Sequence, residues 1–250
     1  MSTQKVAFIT GGNRGIGFET ARKLGKLGIL PVIGARNGAA GQEAVEKLNA
    51  EGIIAESIQF DVLNDADYAA AYEYFESKFG KLDILVNNAG ISHEGEPFAA
   101  IGRPHATSGL SREALRDTFE ANFFAVVFST QALLPLIKKS EAGRIVNLSS
   151  NLGSLTLHSD PSSQIYAVKM FAYDASKTAL NAFTVHLAHE LKDTSIKVNS
   201  VNPGWVHTPL GGSVAPMSPE EGAESSVRMA TLDADGPTGG YFFLDQNIPW

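Results

Sequence analysis

Val6-Ala7-Phe8-Ile9-Thr10, an apolar run of strand length, passes without a break into Gly11-Gly12-Asn13-Arg14-Gly15-Ile16-Gly17, after which Phe18, Ala21, Leu24 and Leu27 recur at helical spacing. No other stretch restricts the fold as much. A buried strand that turns through glycines straight into a helix opens a parallel, helix-covered α/β sheet. Glycine tolerates positive φ and lets backbone approach a ligand closely, and the free N–H groups at a helix start attract a diphosphate. The spacing, Gly11, Gly15 and Gly17, is G-x-x-x-G-x-G and not G-x-G-x-x-G. Taken alone it leaves a tight turn without a ligand open.

The alternation continues. Residues 30–35 read as a second strand ending at Arg36, Ala44, Val45 and Leu48 mark a helix, residues 53–60 read as a third strand ending at Asp61, and Leu82-Asp83-Ile84-Leu85-Val86 as a fourth. At the end of the second strand an acidic residue suits the ribose hydroxyls of NAD(H), whereas arginine suits a 2′-phosphate. Arg36, with Arg14 in the turn as a second cation, therefore predicts NADP(H); two solvated surface arginines are the alternative. Asp61, with Val62 beside it, is placed to accept a hydrogen bond from an adenine amino group, to cap a helix starting near Ala66, or both. In Asn87-Asn88-Ala89-Gly90, amides at a strand end can brace neighbouring loops, and small Ala89 and Gly90 leave room for a flat ribose and ring.

Ser149-Ser150 closes a strand at residues 144–148, and Tyr173-Asp174-Ala175-Ser176-Lys177 follows. On one helix the i, i+4 spacing stacks Tyr173 and Lys177 on the same face. An ordinary phenol, with a pKa of about 10, is a poor acid or base at neutral pH. A nearby ammonium is expected to lower that value and make Tyr173 a usable proton donor and acceptor. Tyr74 and Lys78 have the same spacing, but they lie on a helix leading into a strand and read as a solvated face. Tyr173 follows a strand and a loop, on the side where parallel sheets gather their chemistry.

The turn at residues 10–17, Asn87-Asn88-Ala89-Gly90, Ser150, Tyr173-x-x-x-Lys177 and Pro203-Gly204 stand in the order of the short-chain dehydrogenase/reductase family, which this chain resembles over nearly its whole length. The resemblance implies one doubly wound Rossmann-type NADP-binding domain over residues 1–250, a parallel sheet of about seven strands with helices on both faces. It also implies reversible hydride transfer from NADPH to a ketone or aldehyde, in the manner of the carbonyl-reductase-like members. In that reading Ser150 orients the substrate carbonyl, Tyr173 is the general acid/base, and Lys177 also binds the nicotinamide ribose. Asn122, in a long helix capped by Ser111, would hold a water linked to Lys177. The backbone near Val206 and the hydroxyl of Thr208 would hold the nicotinamide carboxamide. The expected cofactor contacts are thus Gly11, Asn13, Arg14, Gly15, Ile16, Gly17, Arg36, Asp61, Val62, Asn88, Ala89, Gly90, Tyr173, Lys177, Pro203, Gly204, Val206 and Thr208. A non-catalytic NADP-binding sensor or scaffold is the rival from another class, and a cofactor-assisted epimerase or dehydratase the rival within the fold. A mere binder would not need the full set of proton-handling side chains.

Two segments depart from the family pattern. The serine and the tyrosine are separated by nearly double the usual dozen or so residues, the excess lying within residues 154–171. By resemblance, insertions here occur in monomeric carbonyl reductases, where they cover the surface used for tetramer assembly; a mobile pocket rim is the alternative. Residues 91–110, rich in turn formers, suggest one wall of a substrate pocket or a surface excursion. Both a monomer and a homo-oligomer stay open.

Composition narrows the partners. A net charge of -7 argues against general affinity for nucleic acid or anionic membranes, so any phosphate site must be built locally. With no cysteine there is no thiolate metal site and no cysteine nucleophile. His186 and His189 lack a third ligand in the sequence around them, so no metal is expected. The apolar run ending at Thr10 is too short for a signal or a membrane span, which makes the cytoplasm the expected compartment.

Overall fold

The first two strands of the chain bury both faces. In β1 (Val6–Thr10) the alternate residues Ala7 and Ile9 point to one side of the sheet while Val6 and Phe8 point to the other, and all five positions are buried. A strand of that kind needs helices above and below it, as parallel strands generally do. The computed structural model, which describes residues 4–94 and 107–250, supplies them.

Helix α1 (Gly15–Lys26), α2 (Gly38–Ala50) and, much later, α9 (Glu224–Ala230) pack Phe18, Ala21, Leu24, Val45, Leu48, Val227 and Met229 against the Ala7/Ile9 face. Helix α3 (Asp65–Phe79), α5 (Ala125–Ile137) and α7 (Phe171–Glu190) pack Phe75, Leu133, Leu136 and Leu187 against the Val6/Phe8 face. Between the layers run β1, β2 (Leu30–Ala35), β3 (Glu56–Gln59), β4 (Ile84–Asn87), β5 (Arg144–Leu148), β6 (Lys197–Val201), β7 (Tyr241–Phe243) and β8 (Gln246–Asn247), in the sheet order β3-β2-β1-β4-β5-β6-β7-β8. The first seven pair in parallel, and the two-residue β8 folds back antiparallel on β7. The expected seven-stranded doubly wound sheet is therefore present, with one short edge strand added.

The third strand is shorter than the sequence pattern suggests. Residues 53–55 finish the turn after α2, where the Ile53 N–H donates to the Leu48 carbonyl at 3.0 Å, and pairing with β2 begins only at Glu56. The helix after it is capped by Asn64, whose side chain accepts from the Ala66 N–H. Asp61 therefore does not cap it; its Oδ1 accepts from the Leu63 N–H at 3.0 Å inside a tight turn.

The long helix expected after Ser111 comes in three parts: α4 (Arg112–Phe119), a wider π-type turn (Glu120–Phe124) and α5. Ser111 caps it by accepting from the Ala114 N–H at 3.0 Å. Over its 26 residues it is apolar enough to cross a membrane, but half of its apolar stretch is buried against the sheet and α7, as befits a core helix. Such π turns cluster at functional sites, and here the turn carries Asn122.

Candidate active site

Strand order reverses between β1 and β4, and the crevice beyond the carboxyl ends of strands at such a point is where doubly wound sheets bind ligands. A cavity of about 700 Å³ opens there. All eighteen expected cofactor contacts line it, from Gly11 to Thr208, and so do Ser150, Tyr173 and Lys177. Of the expected site residues only Asn122 is not at its surface, although its neighbour Ala121 is.

The glycine turn is built for close approach. Gly11 and Gly15 have φ of +62° and +56°, and a Cβ on Gly17 would stand 2.5 Å from Asn88 Nδ2 and 2.6 Å from the Gly11 carbonyl oxygen. That Asn88 amide donates to the carbonyls of Thr10 and Gly11 at 2.9 and 3.2 Å, which is the loop-bracing role expected for it. Helix α1 opens on Arg14, whose side chain makes no cap, and Gly15, Ile16 and Gly17 at its start line the cavity. An uncapped first turn bordering a cavity offers donors and a positive dipole end to an anion. Arg14 and Arg36 are both exposed at the same mouth.

At the other end, Tyr173 sits in the first turn of α7 and Lys177 one turn further on, both buried. Lys177 Nζ lies 5.6 Å from the centre of the Tyr173 ring and donates to the Leu148 carbonyl at 2.7 Å, at the end of β5. Burial pushes the ammonium down to about 8. The same burial pushes the Tyr173 phenol well above its ordinary value; the Ser150 hydroxyl beside it pulls the other way, and the Asp174 carboxylate adds to the rise. The expectation that Lys177 holds this phenol below its usual pKa is thus not met. Desolvation is the largest effect on the phenol, which is protonated at neutral pH.

Tyr74 and Lys78 show what the spacing alone does. Lys78 is exposed, stands 5.5 Å from the Tyr74 ring and joins it on the Glu56 carboxylate of the edge strand β3. His186 and His189 are exposed on the outer side of α7.

The inserted segment folds onto the site. Ser154 caps a short helix α6 (Leu155–Ser159), and Ile165, Val168 and Met170 bury themselves with Leu152 and Tyr173, with Leu157 and Leu210 packed alongside. His158 Nε2 reaches Asp174 Oδ2 at 3.3 Å, and Lys169 Nζ lies 3.0 Å from His158 Nδ1. The insertion is therefore a wall behind Tyr173, clamped to α7 by side chains that no sequence spacing singled out. Of the other unusual segment, Ile91 and His93 line the cavity and residues 95–106 lie outside the described residues. Beyond β6, Trp205, Leu210 and Gly211 close the pocket; Thr208 Oγ1 accepts from the Gly211 N–H at 3.0 Å, and Trp205 Nε1 donates to the Gly211 carbonyl at 2.8 Å. Ser218 and Glu221 form a capping box at the start of α8 (Pro219–Gly222).

A doubly wound parallel sheet with its cleft at the β1/β4 switch point is a Rossmann-type α/β protein. Within that class the chain belongs to the short chain dehydrogenase family, whose model matches residues 5–218, and it is accordingly an oxidoreductase. It is 34% identical to a (+)-neomenthol dehydrogenase of Arabidopsis thaliana, over 98% of each chain. It is 33% identical to carbonyl reductase [NADPH] 1 of Mus musculus, over 100% of this chain and 99% of that one. The solved structure of salutaridine reductase from Papaver somniferum superposes with a TM-score of 0.82 at 31% identity, covering 96% of this chain and 99% of the other.

Proposed function

We propose that residues 1–250 act as one NADP(H)-binding unit that reduces a ketone or aldehyde to an alcohol, with Tyr173 as proton donor. The observation that carries the reading is the meeting, at one cavity, of a protonated phenol, a serine hydroxyl beside it, a buried ammonium and an uncapped helix start. The cavity fits a dinucleotide: α1 offers its first-turn N–H groups and Arg14 and Arg36 their charges at one end, and at the other Gly90 keeps the wall flat beside Lys177, where a Cβ would lie 3.5 Å from Nζ. When bound, NADPH would supply the hydride for the carbonyl carbon. Carbonyl reductase [NADPH] 1, similar along its whole length, points to the same cofactor.

The chain's own contribution is polarisation and a proton. Ser150 and Tyr173 hydrogen-bond the carbonyl oxygen, drawing electron density off carbon as charge develops on oxygen. The Tyr173 O–H bond then breaks toward that oxygen. Lys177, still largely cationic below pH 8, stabilises the phenolate left behind. A phenol that burial keeps protonated favours reduction over alcohol oxidation, which would need the phenolate first. Asn122, satisfied by the Ile91 backbone and Ser176, holds its place inside the wall; a water between it and Lys177 would complete a proton route to solvent.

A panel of ketones and aldehydes with NADPH absorbance as the readout tests the reaction. Tight NADPH binding with no turnover on any member would favour a sensor. For cofactor choice, Arg36→Asp is expected to weaken NADPH binding by about 1–3 kcal/mol, the worth of a charge-assisted hydrogen bond, and to leave NADH binding little changed. Equal KM values for NADH and NADPH in the unmodified protein would refute the assignment.

A further inference from the structure

The backbone of Tyr173 is held at both its groups by side chains. Its N–H donates to Glu94 Oε2 at 2.9 Å, across 79 positions of sequence, and its carbonyl accepts from Ser176 Oγ at 2.7 Å. Ser176 Oγ in turn accepts from Asn122 Nδ2 at 3.1 Å. Asn122 brackets the backbone of Ile91, accepting from its N–H and donating to its carbonyl, both at 2.8 Å. Three residues after Ile91 the chain reaches Glu94, and the ring of contacts closes. Glu94, Ser176 and Asn122 are all buried.

The ring answers a local need. Helix α7 starts from Met170, which provides no side-chain cap, so its first N–H groups require acceptors from elsewhere. Asp174 takes the Met170 N–H at 2.9 Å and Glu94 takes that of Tyr173. A carboxylate is a strong acceptor there because the helix start is electropositive. Glu94, unlike Asp174, comes from the loop whose Ile91 and His93 line the pocket.

We propose that Glu94 is a positioning residue for Tyr173: its carboxylate oxygen fixes the first turn of α7, so that the phenol stays at the distance and angle from Ser150 that proton delivery needs. The pocket loop and the proton donor are thereby one mechanical unit. This rests on the reading of Tyr173 as the acid.

The test uses the full chain with NADPH and the best ketone of the panel. Glu94→Gln keeps an acceptor in place and loses the charge, whereas Glu94→Asp keeps the charge and withdraws the acceptor by one methylene. Glu94→Asp is expected to lower kcat about 10- to 100-fold, the scale of an ångström of misplacement, with NADPH affinity by fluorescence titration unchanged. Glu94→Gln is expected to restore kcat to near that of the unmodified enzyme. A purely structural role would lower Tm without separating kcat from cofactor affinity at temperatures far below Tm. The proposal is overturned by an unaltered kcat in Glu94→Asp, by a Gln variant as slow as the Asp one, or by loss of NADPH binding in step with kcat. Tyr173→Phe, run alongside, separates the two readings. If it is inactive while Glu94→Asp is fully active, only the positioning role falls; if it is active, the acid assignment falls and the positioning role with it.

Discussion

Replacing Tyr173 by phenylalanine is expected to reduce kcat for carbonyl reduction by about two to four orders of magnitude, the usual contribution of a positioned general acid, while NADPH binds almost as before. The fold should tolerate the change. The ring keeps its place among Leu152, Ile165, Val168 and Met170, and the lost hydroxyl leaves only the Ser150 hydroxyl to find another partner. Ser150 and the rest of the cavity still polarise a bound carbonyl, so a residual rate should remain. Steady-state kinetics together with an independent NADPH titration would check both halves. A variant with full kcat would remove Tyr173 from the chemistry, and one that no longer binds NADPH would show that the ring is needed for the cavity's shape.

Much of this site was legible in the chain because its parts are local. The glycine turn and the i, i+4 pair are each set by residues within a few positions of one another, where backbone geometry follows directly from residue type. The parallel sheet with helices on both faces was legible too, since alternating strands and helices leave few arrangements. The edges of elements were not. Asn64 and not Asp61 caps α3, and β3 begins three residues later than its apolar run, because the turn after α2 uses that stretch first. Least legible were effects that depend on distant burial. The insertion, through His158, and Glu94 converge on the start of α7 from separate segments, and no spacing rule links them. The same holds for the Tyr173 phenol. An adjacent cation argued for a lowered pKa, whereas enclosure by the insertion raises it.

Lys177→Met separates stability from activity, with opposite signs. A buried ammonium with its pKa pushed down to about 8 carries an unfavourable transfer from water, offset in part by the 2.7 Å contact with the Leu148 carbonyl. Below pH 8 both folded and unfolded chains are protonated at this lysine and the penalty is felt in full. Between pH 8 and the unfolded value of about 10.4, the unfolded chain binds a proton that the folded one does not, so stability rises with pH and the penalty is relieved. In the cofactor-free state the methionine variant should therefore melt at a higher temperature than the unmodified protein at pH 7, with a ceiling of roughly 3 kcal/mol reduced by the orphaned Leu148 carbonyl. That advantage should shrink steadily toward pH 10. Activity should move the other way. Without the ammonium the phenolate left after proton transfer stands uncompensated in an apolar enclosure, and kcat for reduction is expected to fall about 100-fold or more, as for loss of a preorganised electrostatic group. The unmodified enzyme should in turn lose reduction rate as pH rises through about 8, because the ammonium discharges there while Tyr173 is still protonated. Thermal melts of the two proteins from pH 7 to pH 10, beside the pH profile of kcat, measure both signs. A methionine variant that melts lower at every pH would show that the contact with Leu148 outweighs desolvation. An unmodified enzyme whose reduction rate is flat through pH 9 would show that the charge of Lys177 does not support the proton transfer.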